Sequence, residues 1–439
     1  MNRINRGPTW YRPIKPNPPS RITRKERQEM ESLPTDTFAS SRTYEKSGIP
    51  ALRWLKNIFS RLIGQGVSQS GFLAPAIAEV CLAEQNRLRN RPVEFVGGRN
   101  DNARVAVIDS FSSSSDFRLH GDHVLGVLQR EGDLRPSELQ RVNFDAGSAV
   151  ELLLEPGPES PSERLDAYIK LDALIGVEDK NKILRRLKTN ENLQVINMSL
   201  GVEPLGTVES IFGKALNRKE ASKERSRFLF DAVGLPHSYE HQNLKLLRQR
   251  LLNRVSKVLS ADPSFQKSCA DFRELSSELK SNGVSFVVAA GNNEAQAETL
   301  RGLGYHLPGG STMSYFHNPH AIVVGALDDK GTADPSDDEL APFSTRSLYT
   351  SVLANGTKVP VDPFGGGDRL NGTSFAAPIV AGRIARMKTE NPGARPEEMV
   401  YLIADQIGVR GSGLPAVNSP GLDPSPLSFR PVHQPRSPE

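Results

Sequence analysis

The chain has 439 residues, with 55 Lys and Arg against 51 Asp and Glu and a net charge of +4. This length accommodates one large α/β domain with extensions, and the balanced charge argues against a nucleic-acid-binding protein as a whole. No run of 18 apolar residues is present, so no transmembrane helix is predicted. Cys81 and Cys269 are too few for a disulfide framework and are predicted to be free thiols, a composition that permits a reducing compartment.

Residues 1–48 form a basic, proline-rich segment, and residues 1–61 hold 13 Lys and Arg against 5 Asp and Glu. The segment lacks the apolar core of a Sec signal peptide and is too polar to bury much surface, so it is predicted to be disordered. It is either a solvated tail, a tether to anionic membrane or nucleic acid, or a signal for a non-Sec export route. The protein is therefore expected to be cytoplasmic or exported without a Sec signal.

Residues 49–98 are predicted to be a helical N-terminal extension. Over 49–63, Leu52, Leu55, Phe59 and Leu62 share one helical face and basic residues lie elsewhere. Such a helix packs on a main domain or contacts a membrane surface, and the first interpretation is favoured. A second helix is predicted over 73–88.

Asp109 closes a short apolar run typical of a buried strand in a parallel sheet. The carboxyl ends of such strands are where α/β sheets place their ligand crevices. His120 follows after a short connection and opens an apolar segment with helical spacing. His123 gives a His-x-x-His spacing, but no glutamate follows His120 and no second cluster is near, so no metal site is predicted here.

A long stretch between Gly201 and Gly283 is predicted to be a helical insertion at 202–282. Helices are expected over 208–232, 244–258 and 264–281, and basic residues fill the outer faces of the central one. Two roles stay open for this insertion. It either adds bulk that packs on the core, or it selects a substrate or partner, with its basic face suited to acidic molecules.

Another buried-strand pattern ends at Asn292, whose side chain can donate to a developing oxyanion. Acidic residues follow at 334–339. Clustered carboxylates can bind structural calcium, but a solvated turn is favoured and no metal ligand is assigned.

Residues 371–378 place Ser374 between a glycine-containing turn and an alanine-rich helix with Pro378 in its first turn. A helix N-terminus offers free N–H groups that can hold an oxyanion. Ser374 is therefore the candidate nucleophile, His120 the base, and Asp109 the residue that orients the imidazole. Asn292 and the Ser374 N–H would form the oxyanion hole, and the chain order Asp, His, Ser is that of subtilisin.

Five motifs together resemble the subtilisin-like serine peptidases, or subtilases. They are Val-Ile-Asp-Ser at 107–110, His-Gly-Asp-His-Val at 120–124, Asn-Met-Ser-Leu-Gly at 197–201, Ala-Ala-Gly-Asn at 289–292 and Gly-Thr-Ser-Phe-Ala-Ala-Pro at 372–378. The resemblance implies a three-layer α/β fold with a mostly parallel sheet over 99–408, and a serine endopeptidase that works through an acyl-enzyme. It also implies a substrate channel lined by Ser199, Leu200 and Gly201 on one side and by Ala289, Ala290 and Gly291 on the other.

Further expectations follow from the resemblance. Residues 49–98 occupy the place of an inhibitory prodomain, although no pattern identifies one, and no organic cofactor is expected. Two alternatives stay open: a weakly active or inactive scaffold that binds or regulates, and a translocated bacterial effector that cuts one host protein. The proline-rich tail at 409–439 is predicted to be disordered, or a ligand for a proline-binding module.

Overall fold

The computed structural model describes residues 74–112, 119–144, 149–216, 223–332, 334, 336–362, 367–405 and 416–417. The predicted segment at 1–48, the predicted helix at 49–63 and most of the link between Asp109 and His120 lie outside these residues. The predicted tail at 409–439 does so too, apart from two residues of a short strand.

A large sheet occupies the centre of the described residues. Its inner strands are short apolar runs that are buried on both faces, as parallel sheets require. Its strands are β1 (Glu94–Val96), β2 (Val105–Asp109), β3 (Leu139–Asn143), β4 (Val195–Met198), β5 (Ser285–Ala289), β6 (Ile322–Asp328), β7 (Glu339–Leu340), β8 (Thr350–Asn355), β11 (Ala404–Asp405) and β12 (Ala416–Val417). A separate antiparallel ribbon consists of β9 (Val359–Pro360) and β10 (Arg369–Leu370).

The strand order is β1-β3-β2-β4-β5-β6-β8-β12-β11, with β7 paired to β6. The inner pairs, from β3 through β12, are parallel, whereas β1, β7 and β11 join the sheet antiparallel. This confirms the predicted α/β class with a mostly parallel sheet. Because β2, β4 and β5 are parallel neighbours, their carboxyl ends meet along one edge.

Helices cover the sheet. They are α1 (Ile77–Asn90), α2 (His120–Gly132), α3 (Pro161–Leu187), α4 (Pro204–Leu216), α5 (Lys223–Ala232), α6 (His241–Ala261), α7 (Pro263–Ser281), α8 (Glu294–Gly302), α9 (Thr373–Glu390) and α10 (Pro396–Ile403). None of these helices combines the length and the apolar character that a membrane span requires.

Alternate side chains of the inner strands point to opposite faces and enter separate apolar clusters. On β2, Val105 and Val107 pack with α2 and α9. Ala106 and Ile108 pack with α3 and with the helices between Gly201 and Gly283. The sheet is therefore the middle of three layers.

Residues 74–96 pack with the domain that was predicted to begin at 99. The helix predicted over 73–88 is confirmed as α1, and β1 extends the sheet beside β3. The fully buried Arg164 of α3 donates to the Pro75 carbonyl at 2.9 Å and to the Leu152 carbonyl at 2.7 Å. The Ile77 N–H donates to Glu159 Oε1 at 2.8 Å. These contacts tie the start of α1 to the core.

Helices α4 to α7 fill the stretch between Gly201 and Gly283, and the helical spacing predicted there is confirmed. Leu247, Leu251 and Val255 of α6 are fully buried. The basic residues of α6 are largely used inside the fold: Arg254 Nε lies 2.7 Å from Asp166 Oδ1 of α3, and Arg250 donates to the Val233 carbonyl. These contacts favour packing on the core over a free basic face for acidic partners.

Candidate active site

Asp109 and His120 meet at the carboxyl end of β2. His120 is the first residue of α2, and its Nδ1 lies 2.8 Å from Asp109 Oδ1. Asp109 is fully buried, whereas about a third of the His120 side chain is exposed. Gly121 makes this approach possible, because a Cβ there would lie 2.5 Å from the Ser110 carbonyl oxygen. The buried carboxylate therefore holds the Nδ1 edge of the imidazole, and part of the ring is exposed to solvent.

Ser374 is the second residue of α9 and lies against the end of β4. Its hydroxyl donates to the Ser199 carbonyl at 3.2 Å, and the Ser199 hydroxyl donates to the Ser374 carbonyl at 2.9 Å. Asn197 Nδ2 donates to Ser199 Oγ at 3.1 Å. This reciprocal pair fixes the start of α9 beside the segment that follows β4.

The turn before Ser374 is built around Asn292. Asn292 Oδ1 accepts from the Thr373 N–H at 2.8 Å and from the Thr373 hydroxyl at 3.0 Å. The Thr373 hydroxyl in turn accepts from the Gly291 N–H at 3.0 Å. Gly372 has φ +151°, and a Cβ there would lie 3.3 Å from Asn292 Nδ2. The side-chain oxygen of Asn292 is thus held by the start of α9, and the NH₂ group of Asn292 faces the turn that precedes Ser374.

The N–H groups of the first turn of α9 are not used equally. Those of Phe375 and Ala376 donate to the Gly372 carbonyl at 3.0 and 3.4 Å, and that of Thr373 is used as described above. Within the described part of the chain, the Ser374 N–H has no acceptor. Free N–H groups at a helix start carry partial positive charge and suit an anion.

The predicted residues from three distant motifs therefore share one sheet edge. Asp109 is the last residue of β2, Ser199 follows β4 and Asn292 follows β5, and these strands are parallel neighbours. The ring centroid of His120 lies 5.7 Å from that of Phe375, next to Ser374.

Comparison with known proteins identifies the family. The family model described as "Subtilase family" matches residues 94–421. The chain belongs to the subtilase family. A curated relative of this subtilase, the serine protease AprX of Bacillus subtilis (strain 168), is 32% identical over 147 residues. That match spans 29% of this chain and 30% of the relative.

Two solved structures are also similar in part. MycP1 from the ESX-1 type VII secretion system has 15% identity and a TM-score of 0.35, with 80% of this chain and 87% of that chain covered. A cold-adapted subtilisin-like serine proteinase has 16% identity and a TM-score of 0.32, with 73% of this chain and 90% of that chain covered.

In this subtilase, the two predicted sides of the substrate channel differ in how their backbone is used. On the 289–291 side, His317 Nε2 donates to the Ala289 carbonyl at 3.2 Å, and the Gly291 carbonyl accepts from Thr345. Burial lowers the pKa of His317 to about 4, so the ring is neutral when it makes this bond. Ala290 is fully buried. The Ala289 and Gly291 carbonyls are thus hydrogen-bonded within the protein and Ala290 is buried. Mainly the surface of Gly291 is left for contact with a substrate.

On the other side, Ser199 is nearly buried, and Leu200 packs partly on the apolar core. Gly201 borders the Glu203 side chain, because a Cβ on Gly201 would lie 3.0 Å from Glu203 Oε2. A Cβ on Gly291 would lie 3.6 Å from the other oxygen, Oε1. The Glu203 carboxyl group therefore lies between the two predicted sides of the channel.

Sequence reasoning missed Glu203, and its only signal was a position two residues after Gly201. The residue is 8% exposed, and Asn293 Nδ2 donates to its Oε1 at 2.6 Å. Burial raises the pKa of Glu203 to about 7, against the smaller opposing effect of the Asn293 hydrogen bond.

The predicted acidic turn uses its carboxylates locally. The Thr332 hydroxyl donates to Asp337, and Asp334 Oδ1 accepts from the Ser336 N–H at 2.9 Å. Burial and the carboxylates of Asp329 and Asp337 raise the pKa of Asp338 to about 6. Among the described residues, no three His, Cys, Asp or Glu side chains converge as metal ligands would. Cys81 and Cys269 are unpaired, as predicted.

Proposed function

We propose that this subtilase is a serine endopeptidase that hydrolyses peptide bonds through an acyl-enzyme. Ser374 is the nucleophile, His120 the general base, and Asp109 the residue that orients the imidazole. The observation that carries the proposal is the Asp109–His120 hydrogen bond at the same sheet edge as Ser374. The reaction as proposed requires no organic cofactor.

In the first step the Ser374 oxygen attacks the carbonyl carbon of the scissile bond, and its proton passes to Nε2 of His120. The Asp109 carboxylate accepts from Nδ1–H and so keeps the tautomer in which Nε2 can act as the base. The buried carboxylate then stabilises the imidazolium that forms. His120 returns the proton to the leaving amine. A water molecule then gives a proton to His120 and attacks the acyl carbon, and His120 passes that proton to the departing Ser374 oxygen.

Negative charge on the substrate oxygen requires donors that are already in place. Asn292 Nδ2 and the Ser374 N–H supply them, because the amide oxygen is anchored to Thr373 and the helix start leaves the Ser374 N–H without an acceptor in the described residues. A preorganised donor pair of this kind costs little reorganisation during the reaction.

Substrate binding can release the nucleophile from the Ser199 carbonyl. In the structure this carbonyl accepts a hydrogen bond from the Ser374 hydroxyl. An extended substrate that pairs with 199–201 brings a backbone N–H to this carbonyl and displaces the hydroxyl, which then turns toward His120.

The alternative of an inactive scaffold that only binds is less well supported, since every residue of the proposed triad is present.

The test is hydrolysis of a mixture of internally quenched peptides by the full chain, with the new termini identified by mass spectrometry. Ser374→Ala removes the nucleophile, and Ser260→Ala, an exposed serine on α6, is the matched control. We expect cleavage by the parent and by the control, and none by Ser374→Ala. Equal cleavage by Ser374→Ala, or none by the folded parent, would contradict the proposal. If the parent cleaves, the sequences of the cleaved peptides would guide the search for a host-protein substrate, as an exported effector would have.

A further inference from the structure

Glu203 is a buried acid without a cationic partner. It precedes α4, and instead of turning to solvent its carboxyl group points between Gly201 and Gly291. Most buried carboxyl groups are paired with Lys or Arg, because burial of an isolated charge is costly. In the described part of the chain, the only side chain that donates to the Glu203 carboxyl group is the neutral amide of Asn293.

The Asn293 amide adds a second unmatched acceptor at this point. Asn293 is 1% exposed, and its Nδ2 is committed to Glu203 Oε1. Its Oδ1 is buried and has no hydrogen-bond partner among the described residues. Buried acceptors without donors are uncommon in native proteins, and such an atom beside a bound substrate can accept a hydrogen bond from it.

The positions of these acceptors indicate which kind of substrate group would bind them. Gly201 and Gly291 belong to the two segments proposed to flank the substrate, and the carboxyl group lies within 3.0 to 3.6 Å of where their side chains would begin. Glycine at both positions leaves no side chain between the two segments and the acid. A group that reaches Glu203 from the proposed channel must carry hydrogen-bond donors and a positive charge to match it.

We propose that Glu203 and Asn293 Oδ1 bind the cationic end of a lysine or arginine side chain on the substrate, at the residue that precedes the scissile bond. The inference rests on the proposed peptidase function and names its substrate preference. An ammonium or guanidinium group satisfies both acceptors with charge-assisted hydrogen bonds. A side chain of equal length without a charge leaves them unpaired, and sites of this kind reject such analogues strongly.

Binding to the full chain carrying Ser374→Ala tests the inference without any turnover. Calorimetry compares two product-like peptides that end in lysine or in norleucine, which has the same chain length without the amino group. We expect the lysine peptide to bind at least about tenfold more tightly. Adding Glu203→Gln, which keeps the shape and removes the charge, is expected to reduce the difference to threefold or less.

Glu298→Gln is the matched control, because it removes a carboxylate from the exposed surface of the neighbouring helix α8. It is expected to leave the lysine preference unchanged. Glu203→Asp keeps the charge and is the second variant should Glu203→Gln fail to fold; it is expected to retain a preference for lysine. Equal binding of the two peptides, or a preference that survives Glu203→Gln, would overturn the inference. Failure of the peptidase proposal would appear separately, as peptide binding without cleavage by the parent.

Discussion

The edge of the sheet that holds the candidate site and the helical region α4 to α7 are built on different physical grounds. The edge joins residues from four distant segments. Its geometry is fixed by close backbone approach and by hydrogen bonds: Gly121 lets α2 approach Ser110, and the side-chain amide of Asn292 holds the start of α9. The helical region is continuous in the chain and is held by buried apolar side chains such as Leu251. Changes at the edge should therefore affect chemistry, and changes in the helices should affect stability.

Asn292 offers the sharpest test at the edge, and the largest expected effect. Asn292→Ala removes both the proposed oxyanion donor and the acceptor for Thr373, whereas Asn292→Asp keeps an oxygen acceptor, removes the donor and adds a negative charge beside the oxyanion. We expect either change to lower kcat by about 10²–10³, as measured by peptide hydrolysis. Thermal unfolding should be disturbed more by Asn292→Ala. A loss of activity by Asn292→Ala alone would mean that the amide acts by positioning α9 rather than as a donor.

Leu251→Ala is the matching change in the helical region. Leu251 is fully buried in α6, so truncation leaves a cavity and should lower the free energy of unfolding by about 2–5 kcal/mol. Denaturant unfolding measures this loss. The kcat of the folded fraction should stay within a factor of two of the parent. A large fall in kcat with unchanged stability would show that the helical region takes part in the site. It would contradict the assignment of chemistry to the sheet edge and of stability to the helices.

Glu203 joins the two regions, because it lies at the start of α4 and beside the proposed channel. Its pKa is raised to about 7 by burial, so the contribution of this group to stability is full below the unfolded value near 4.5 and is lost as the pH rises through 7. The loss amounts to at most about 3 kcal/mol. Glu203→Gln should remove this component, which unfolding at pH 5 and pH 8 would reveal. An unchanged pH dependence in the variant would contradict the raised pKa.

The N-terminal extension gives the smallest expected effect. Arg164 binds the Pro75 carbonyl and β1 pairs with β3, so residues from 74 onward belong with the core. A chain that starts at 99 should unfold at a lower temperature than one that starts at 74, because β3 becomes an unpaired edge strand. Equal melting temperatures for these two chains would show that α1 and β1 are dispensable.

The candidate site could be predicted from the sequence because each motif has a local physical reason. Val105 to Ile108 form a buried strand that ends in Asp109, and the turn before Ser374 needs glycine at φ +151°. Glu203 could not be predicted, since its importance depends on Gly201 and Gly291 facing it across a fold that joins positions 90 residues apart. The use of Arg254 and Arg250 was also hidden, because their partners lie on α3 and in the segment after α5 rather than on their own helix.

The measurement that tests the central claim most directly is covalent labelling of the full chain with a fluorophosphonate, followed by intact mass and peptide mapping. The parent should gain one adduct at Ser374, His120→Ala should react at least about 10² times more slowly because it lacks the base, and Ser374→Ala should gain none. A folded parent that stays unlabelled, or a label that persists in Ser374→Ala, would contradict an activated serine at this edge.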